Sequence, residues 1–344
     1  CNFCEDLLKV INLDPSCEKE TNNLEKIIHK IKKEGQGNNY DCIVGVSGGV
    51  DSSLLVHFLN QKRKKFIEIN NYYLDHNLND LEKIKSLKKF QNFKLKIIKI
   101  SSKNYVKGMN LSFKNNYFGN TYAPTLFYSI SFFKNKKHKI LMTGSGPDEL
   151  FYGMEKYNLN FFKKLSNLQT SEALEKIDVN YNYEFYKKIL NSTGVELLNI
   201  LMKKRKLLYK KISEINKNLL EAQRILAYCT VTNQHYEMFE TVSKCFNLKH
   251  SSPFLNKEYI KFALSIKLQN FLNLKLNKSN QNANVGKYQL KKMLSKYTST
   301  EHAFDKKIGF HAPVSKLLNE NYIVKNLDKK LNYEKLEKLI DIDK

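Results

Sequence analysis

The stretch from Tyr40 to Ser53 reads YDCIVGVSGGVDSS, and it decides the fold of this chain. Its first seven residues form a short apolar, β-branched run, which is typical of a buried parallel strand. Gly48 and Gly49 then precede a stretch, 51–61, in which apolar residues recur at helical spacing. A glycine turn between a buried strand and a helix is the usual setting of a phosphate site, because the amides at the helix start point at the anion. We therefore predict a phosphate-binding loop.

The predicted loop combines hydroxyl donors with one acid. Ser47, Ser52 and Ser53 can donate hydrogen bonds to phosphate oxygens. Asp51 would repel a phosphate and is better suited to hold a Mg²⁺ ion that bridges to it. The segment lacks the Gly-x4-Gly-Lys-Ser/Thr pattern of a Walker loop. The alternative interpretation is a tight turn in which Asp51 caps the helix.

Strands and helices alternate through the first half of the chain. The predicted strands after the first are 66–74, 93–100 and 138–143, and the predicted helices are 22–34, 51–61, 80–90 and 121–133. Such alternation predicts an α/β protein with a Rossmann-like parallel sheet, whose ligands lie at the carboxyl ends of the strands.

After about Met154 the alternation ends. Long stretches at 196–211 and 219–246 have helical spacing, which predicts a largely α-helical C-terminal lobe. We expect three parts: a cysteine-containing N-terminal segment over 1–36, an α/β core with the phosphate loop over 37–154, and the helical lobe over 155–344.

The charge of the chain is strongly positive, with 58 Lys+Arg against 34 Asp+Glu and a net charge of +24. Such a charge permits nucleic-acid binding. The excess is spread along the chain and is mostly lysine, whereas arginine suits bidentate recognition. A compositional bias is therefore the preferred interpretation, and nucleic acid is not the expected partner.

The composition also limits the compartment and the class of protein. A hydrophobic content of 42% excludes a disordered chain. The longest weakly polar run, 123–133, is shorter than the roughly 20 residues that a helix needs to cross a bilayer, so we expect no membrane span. With no visible secretory signal, we expect a cytoplasmic protein.

The six cysteines fall into two groups. Three lie among apolar residues and are expected to be reduced core thiols: Cys42, Cys229 and Cys245. The other three, Cys1, Cys4 and Cys17, crowd into the first segment, and the Cys1-x2-Cys4 spacing lets two thiolates reach one Zn²⁺ ion. A structural zinc ion needs four ligands, so His29 or residues upstream would have to complete the site, and a segment without metal is the alternative.

A second glycine-flanked segment, TGSGPDELFYG at 143–153, follows the predicted strand at 138–143. Strand ends in a parallel sheet meet at one edge, so Asp148 and Glu149 are expected near Asp51. Carboxylates from two strands can clamp a Mg²⁺-pyrophosphate group. A helix start with an acidic first turn is the alternative, and it leaves the glycines unexplained.

These motifs resemble a known family. SGGVDSS at 47–53 resembles the Ser-Gly-Gly-x-Asp-Ser signature of PP-loop ATP pyrophosphatases, and the 143–153 segment is similar to a loop of the asparagine synthetase synthetase domain. Three further segments resemble that domain in the same order: SPFLNK at 252–257, KYQLKK at 287–292 and KIGFHAPV at 307–314. Together the motifs cover residues 40 to 320.

The resemblance implies an ATP- and Mg²⁺-dependent C–N ligase that activates its acceptor as an adenylate, releases pyrophosphate and transfers ammonia. It implies that six residues bind the pyrophosphate and Mg²⁺: Ser47, Gly48, Gly49, Asp51, Ser52 and Ser53. The backbones of Leu74 and Gly144 would flank the adenine. Asp148 would make a second Mg²⁺ contact with Glu149 beside it, and Lys307 would neutralise charge on the departing pyrophosphate.

Three positions depart from the family pattern near the acceptor pocket. Ser145 stands where the family has a glutamate, Ser251 where it has an arginine, and Asn256 where it has an aspartate. A serine cannot supply a carboxylate as general base at neutral pH. The departures leave the use of ATP unaffected and leave the identity of the acceptor open.

The first 55 residues resemble N-acetyl sugar amidotransferases of surface-polysaccharide synthesis, through CNFC at 1–4 and YDCIVGVSGG at 40–49. Those enzymes receive ammonia from a partner glutaminase. Because only a short segment precedes Tyr40, we expect a separate glutaminase and a sugar or small-molecule acceptor. The alternatives are a tRNA-modifying PP-loop enzyme of the thiolation or lysidine type, asparagine synthetase proper using free ammonia, and an inactive scaffold.

Overall fold

The computed structural model describes most of the chain between residues 40 and 305. The described ranges are 40–61, 66–73, 78–90, 94–117, 119–134, 139–153, 164–178, 183–266 and 286–305, with the shorter pieces 29, 31–33, 36, 312 and 314. Of the predicted helix at 22–34, residues 29 and 31–33 are described and helical.

Within these ranges, five strands form one sheet in the order β3-β2-β1-β4-β5, and every pair is parallel. The strands are β1 (Cys42–Gly45), β2 (Phe66–Tyr73), β3 (Lys94–Ile100), β4 (Ile140–Met142) and β5 (Lys249–Ser251). The strand order reverses at β1, which has β2 on one side and β4 on the other. Such a switch point opens a crevice at the carboxyl ends of the two strands. The loops after β1 and β4 therefore meet there.

The helices complete an α/β fold, as predicted. They are α1 (Val50–Gln61), α2 (Leu78–Phe90), α3 (Ser102–Lys114), α4 (Ala123–Ser131), α5 (Pro147–Leu150), α6 (Thr170–Ile177), α7 (Tyr183–Ile189), α8 (Ser192–Ile215), α9 (Leu219–Ala227), α10 (Asn233–Cys245), α11 (Lys257–Ser265), α12 (Tyr288–Ser295) and α13 (Thr300–Phe304). A π-helical turn, Tyr228–Thr232, interrupts the predicted helix at 219–246.

The core lies on both faces of the sheet. Ile43 of β1 and Leu141 of β4 belong to one apolar cluster, whereas Val44 and Met142 belong to another, because successive residues of a strand point to opposite faces. All four side chains are almost fully buried. A strand covered on both sides needs apolar residues at consecutive positions, which explains the continuous apolar run in the sequence.

The described residues divide into two compact units. One contains the sheet, with the described residues before 154 and after 230, and the other contains the described residues from 164 to 230, which are mainly helical. No helix in the described ranges is both long enough and apolar enough to cross a bilayer.

The helical unit contains a buried ion pair between two of its segments. Arg205 of α8 pairs with the Asp178 carboxylate through Nε and donates from a terminal nitrogen to Oδ1 at 2.7 Å. The Tyr209 hydroxyl donates to Oδ2 of Asp178 at 2.6 Å. Burial and the bond to Asp178 raise the pKa of Tyr209, so its phenol remains a donor. The Asp178 carboxylate therefore receives both a cation and a neutral donor.

We expect Tyr209→Phe to lower the free energy of unfolding by about 1.5–3 kcal/mol, because a buried carboxylate loses a donor. Tyr183→Phe is the matched control, since it removes an exposed hydroxyl that donates to Asn199 at 2.9 Å. The control should change the free energy of unfolding by less than about 0.5 kcal/mol. Urea unfolding measures both, and equal effects of the two variants would contradict the prediction.

Candidate active site

The loop after β1 orders itself through its own hydroxyls. Gly48 has a φ of +77°, a left-handed conformation that favours glycine. The Gly49 amide donates to Ser47 Oγ at 3.3 Å, and Ser52 Oγ donates to the Gly49 carbonyl at 3.2 Å. The Ser47 amide donates to Ser52 Oγ at 3.2 Å. These bonds close a compact ring at the start of α1, where helix amides favour an anion.

The loop after β4 packs directly against this ring. A Cβ atom added at Gly144 would lie 3.0 Å from the Ser52 amide nitrogen and 3.1 Å from the Asp51 carbonyl carbon. Such distances are shorter than almost all Cβ contacts in proteins, so a side chain at this position would require the start of α1 to shift. The glycine therefore allows the two predicted motifs to come into contact at the switch point of the sheet.

Lys287 joins the two motifs through their acids. Its Nζ pairs with Oδ2 of Asp51 and lies 2.6 Å from Oδ1 of Asp148. Burial alone would lower the pKa of Lys287, but the Asp148 and Asp51 carboxylates outweigh burial and raise it, so the ammonium group is charged. The lysine side chain is only 4% exposed. The three groups form a buried ion cluster with more carboxylate than ammonium charge.

The backbone around Lys287 is tightly constrained. Lys287 itself has a φ of +56°, which is uncommon for a residue other than glycine, and its amide donates to the Phe151 carbonyl at 2.7 Å. A Cβ at Gly286 would lie 1.6 Å from the Tyr152 carbonyl oxygen, and one at Gly153 would lie 1.9 Å from Lys287 Cε. Gly153 thus leaves the space that the lysine side chain occupies, and Gly286 allows the backbone before the lysine to approach that of Phe151 and Tyr152.

The donor set of this cluster suits a divalent cation. Mg²⁺ is usually held by one or two carboxylates together with substrate phosphates. Asp51 and Asp148 already converge on one positively charged nitrogen beside a loop suited to phosphate. The described residues contain no group of three or more His, Cys, Asp and Glu side chains that could hold a metal ion. Asp51 and Asp148 could hold a Mg²⁺ ion only together with other ligands, such as phosphate oxygens.

The other predicted site residues are placed as follows. Glu149 is buried, and its Oε1 lies 4.0 Å from Nδ1 of His235, so it has an ionisable neighbour of its own. The remaining ones lie outside the described residues, and their roles remain predictions: Leu74, Lys307, Cys1, Cys4 and Cys17.

Two residues of this site, Lys287 and His302, were not predicted from the sequence to be functional. Lys287 stood in a matched segment, and its position directly after Gly286 was the available signal. His302 of α13 lies beside the phosphate loop, with Nε2 3.5 Å from Ser53 Oγ. Burial and nearby Lys83 lower the pKa of His302, which favours the neutral ring. No sequence motif indicated His302, because it lies far along the chain from the loop.

A parallel sheet whose first strand leads into a Ser-Gly-Gly-x-Asp-Ser loop is consistent with the class of PP-loop ATP pyrophosphatases. The family model described as asparagine synthase matches residues 41–344, and the chain belongs to that family. Enzymes of this family are in general ATP-dependent synthetases of the amidotransferase type, and they typically use Mg²⁺.

One curated relative is similar over a shorter stretch. A segment of 62 residues is 39% identical to an uncharacterized protein of Methanocaldococcus jannaschii. The match covers 18% of this chain and 22% of that protein.

Proposed function

We propose that this protein is a Mg²⁺-dependent amide- or amidine-forming ligase. It activates a carboxylate or amide of a sugar or small metabolite as an adenylate, and it then transfers ammonia supplied by a separate glutaminase. The observation that supports the proposal is the Lys287 ion cluster, which brings the acids of both motifs to one point beside the phosphate loop. The matched family supports the ligase class.

The proposed reaction has two displacements. An acceptor oxygen attacks the α-phosphorus of ATP, the bond from that phosphorus to the bridging oxygen breaks, and pyrophosphate leaves. Ammonia then attacks the activated carbon, AMP leaves with the former acceptor oxygen, and a proton is lost from nitrogen. Mg²⁺, when bound, neutralises charge on the phosphate oxygens.

The chain supplies positioning and charge for this reaction. Amides of the loop at 47–49 and the start of α1 donate to phosphate oxygens. Lys287 holds the Asp51 and Asp148 carboxylates at one point, where they would bind Mg²⁺, and fixed charges arranged in this way stabilise a departing anion. We place the adenine between the backbones of Leu74 and Gly144, and we assign Lys307 to the pyrophosphate. We further propose that the enzyme is cytoplasmic.

The test is a pyrophosphate and AMP assay with Mg²⁺-ATP, ammonium chloride and a panel of sugar acids and small carboxylates that includes L-aspartate. We expect AMP and pyrophosphate in equal amounts, formed only with a particular acceptor. If ADP and phosphate form instead, or no acceptor supports turnover, the proposal is wrong. Highest turnover with L-aspartate would favour asparagine synthetase proper.

Ser52→Ala should lower the rate of pyrophosphate release about tenfold, because the loop loses the hydroxyl that bonds Ser47 and Gly49. Ser131→Ala is the control, since it removes a hydroxyl of α4 that donates to the Tyr128 carbonyl. Initial rates at saturating ATP measure the effect. Unchanged activity in Ser52→Ala would show that the ring of hydrogen bonds is dispensable.

A further inference from the structure

Three side chains form a hydrogen-bonded series that runs from β5 to the loop after β4. His250 Nε2 lies 2.8 Å from Thr143 Oγ1, and Thr143 Oγ1 lies 3.1 Å from Ser145 Oγ. The backbones support this arrangement, because the Thr143 amide donates to the Ser251 carbonyl at 3.1 Å and Ser252 Oγ donates to the Ser145 carbonyl at 2.9 Å. The last residue of the series is Ser145, which stands where the family pattern has a glutamate.

The first residue of this hydrogen-bonded series, His250, is uncharged. The His250 ring stacks on the Phe239 ring, with centroids 5.2 Å apart. The Tyr236 ring is tilted against the His250 ring, with centroids 5.4 Å apart. Burial lowers the pKa of His250 to about 4, although nearby Glu240 acts in the opposite direction. At neutral pH the imidazole therefore has one N–H group and one bare nitrogen.

The surroundings of His250 decide which nitrogen carries the hydrogen. Nδ1 is buried and has no hydrogen-bond partner in the described part of the chain. A buried N–H without a partner is rarer in proteins than an acceptor without one. The hydrogen therefore belongs on Nε2, which donates to Thr143. The Thr143 hydroxyl then donates to Ser145, and the Ser145 hydroxyl is left to donate outward.

We propose that Ser145 is a specificity-determining residue whose hydroxyl donates to an oxygen of the acceptor, and that Thr143 and His250 are positioning residues that set its direction. This inference rests on the proposed function, which places the acceptor beside the activating phosphates. Ser145 directly follows Gly144, which packs against the start of α1. Its side chain is half-buried, so it can reach both the chain of bonds and a ligand.

The consequence is a change in the charge that the site offers. A glutamate at this position brings a negative charge and only acceptor oxygens, which suits an ammonium or another donor. The serine is neutral and presents an O–H donor. An acceptor with a carbonyl, carboxylate or hydroxyl oxygen at this point gains a hydrogen bond without repulsion from a carboxylate.

The first test needs no acceptor. The protein is labelled with ¹⁵N-histidine, and the ring nitrogens of His250, assigned by comparison with His250→Gln, are observed by NMR at pH 7. We expect a protonated Nε2 and a bare Nδ1, with a clear change of the Nε2 signal in Thr143→Val and a smaller one in Thr143→Ser. A protonated Nδ1, or no response to Thr143→Val, overturns the proposal.

The second test uses the acceptor from the panel that supports the fastest pyrophosphate release. Ser145→Ala, Thr143→Val and His250→Leu should each raise the KM for that acceptor about tenfold with kcat less affected, the effect of one lost hydrogen bond. Thr143→Ser and His250→Gln, which retain a donor, should restore most of the affinity. Tyr236→Phe is the control, because it keeps the ring beside His250 and loses only a bond to Glu240.

The double variant Thr143→Val/Ser145→Ala separates positioning from general damage. It should bind the acceptor as Ser145→Ala does, because Thr143 acts through Ser145. Additive losses overturn the proposal. If no acceptor on the panel supports turnover, the proposed function fails by itself, and the NMR spectrum then decides the direction of the hydrogen bonds alone.

Discussion

Lys287→Met is expected to lower the rate of pyrophosphate release at least about 100-fold. Removal of a preorganised electrostatic group typically lowers kcat on this scale. The same variant should lower the free energy of unfolding by about 3–5 kcal/mol, the cost of breaking a buried ion pair from one side. The reason is the geometry of the cluster, because Asp51 and Asp148 both face the lysine nitrogen. Without the ammonium group they face each other across buried space.

The pH dependence of this stability follows from the raised pKa of Lys287. A group whose pKa in the folded state exceeds its unfolded value near 10.5 contributes its full stability below that value. The contribution is lost only as the pH rises through the folded pKa. The wild type should therefore exceed Lys287→Met in stability by a constant amount between about pH 6 and pH 9, as measured by urea unfolding.

Lys292→Met is the matched control for charge. Lys292 lies on α12, the helix that begins directly after Lys287; it is exposed, and its nitrogen lies 5.6 Å from the centre of the Tyr288 ring. Its replacement removes the same charge and should change stability by less than about 1 kcal/mol, with full activity. If both variants behave alike, the buried cluster has no special role.

Gly153→Ala is expected to produce the second large effect. The added methyl group would lie 1.9 Å from Lys287 Cε and 2.3 Å from Oδ1 of Asp148. Both atoms belong to the ion cluster, and a shift of Cε away from the methyl group would also move the Lys287 nitrogen from the Asp51 and Asp148 carboxylates. We expect a loss of about 1–3 kcal/mol in stability from overpacking and about 100-fold in activity, because the ammonium group is displaced by about 1 Å.

Gly45→Ala provides the comparison for Gly153→Ala. Gly45 lies at the end of β1, and an added Cβ would be 4.0 Å from the Met142 carbonyl oxygen, an ordinary contact. This variant should fold and turn over normally. In a Lys287→Ala background, Gly153→Ala should lower the free energy of unfolding by less, because the clash with Lys287 Cε is gone and only the contact with Asp148 Oδ1 is left. An undiminished effect of Gly153→Ala in that background would place the clash elsewhere.

Local patterns in the sequence predicted the sheet. The apolar run that became Cys42–Gly45 was visible because a strand covered on both faces needs consecutive apolar residues. The fifth strand, Lys249–Ser251, has only three residues, too few to show a period. It forms because β4 offers an edge, with Thr143 donating to Ser251, and that edge is a property of the assembled fold.

The helix α3 was not predicted, and packing gives the reason. Gly108 lies in its middle and weakens a helical signal. In the fold, a Cβ at Gly108 would lie 1.9 Å from the Pro124 carbonyl oxygen, so the glycine permits close packing of α3 on the start of α4. The helix begins at a Ser101 cap that accepts from the Asn104 amide at 3.3 Å.

The candidate site could be predicted only in part. The two glycine-rich motifs and their acids follow from residue type and strand placement, which are local properties. The role of Lys287 depends on contacts with residues far away in the sequence, as does the link from His250 to Ser145. Such contacts leave no periodic signal, because each partner is one residue on a different element.

The bond from Lys287 to Asp51 spans 236 positions of the chain. During synthesis at about 5–20 residues per second, Asp51 leaves the ribosome roughly 10–50 s before the lysine that neutralises it. Throughout that interval the phosphate loop has its negative charge without the internal counter-charge. Final consolidation of the site must therefore wait until nearly the whole described chain has been made.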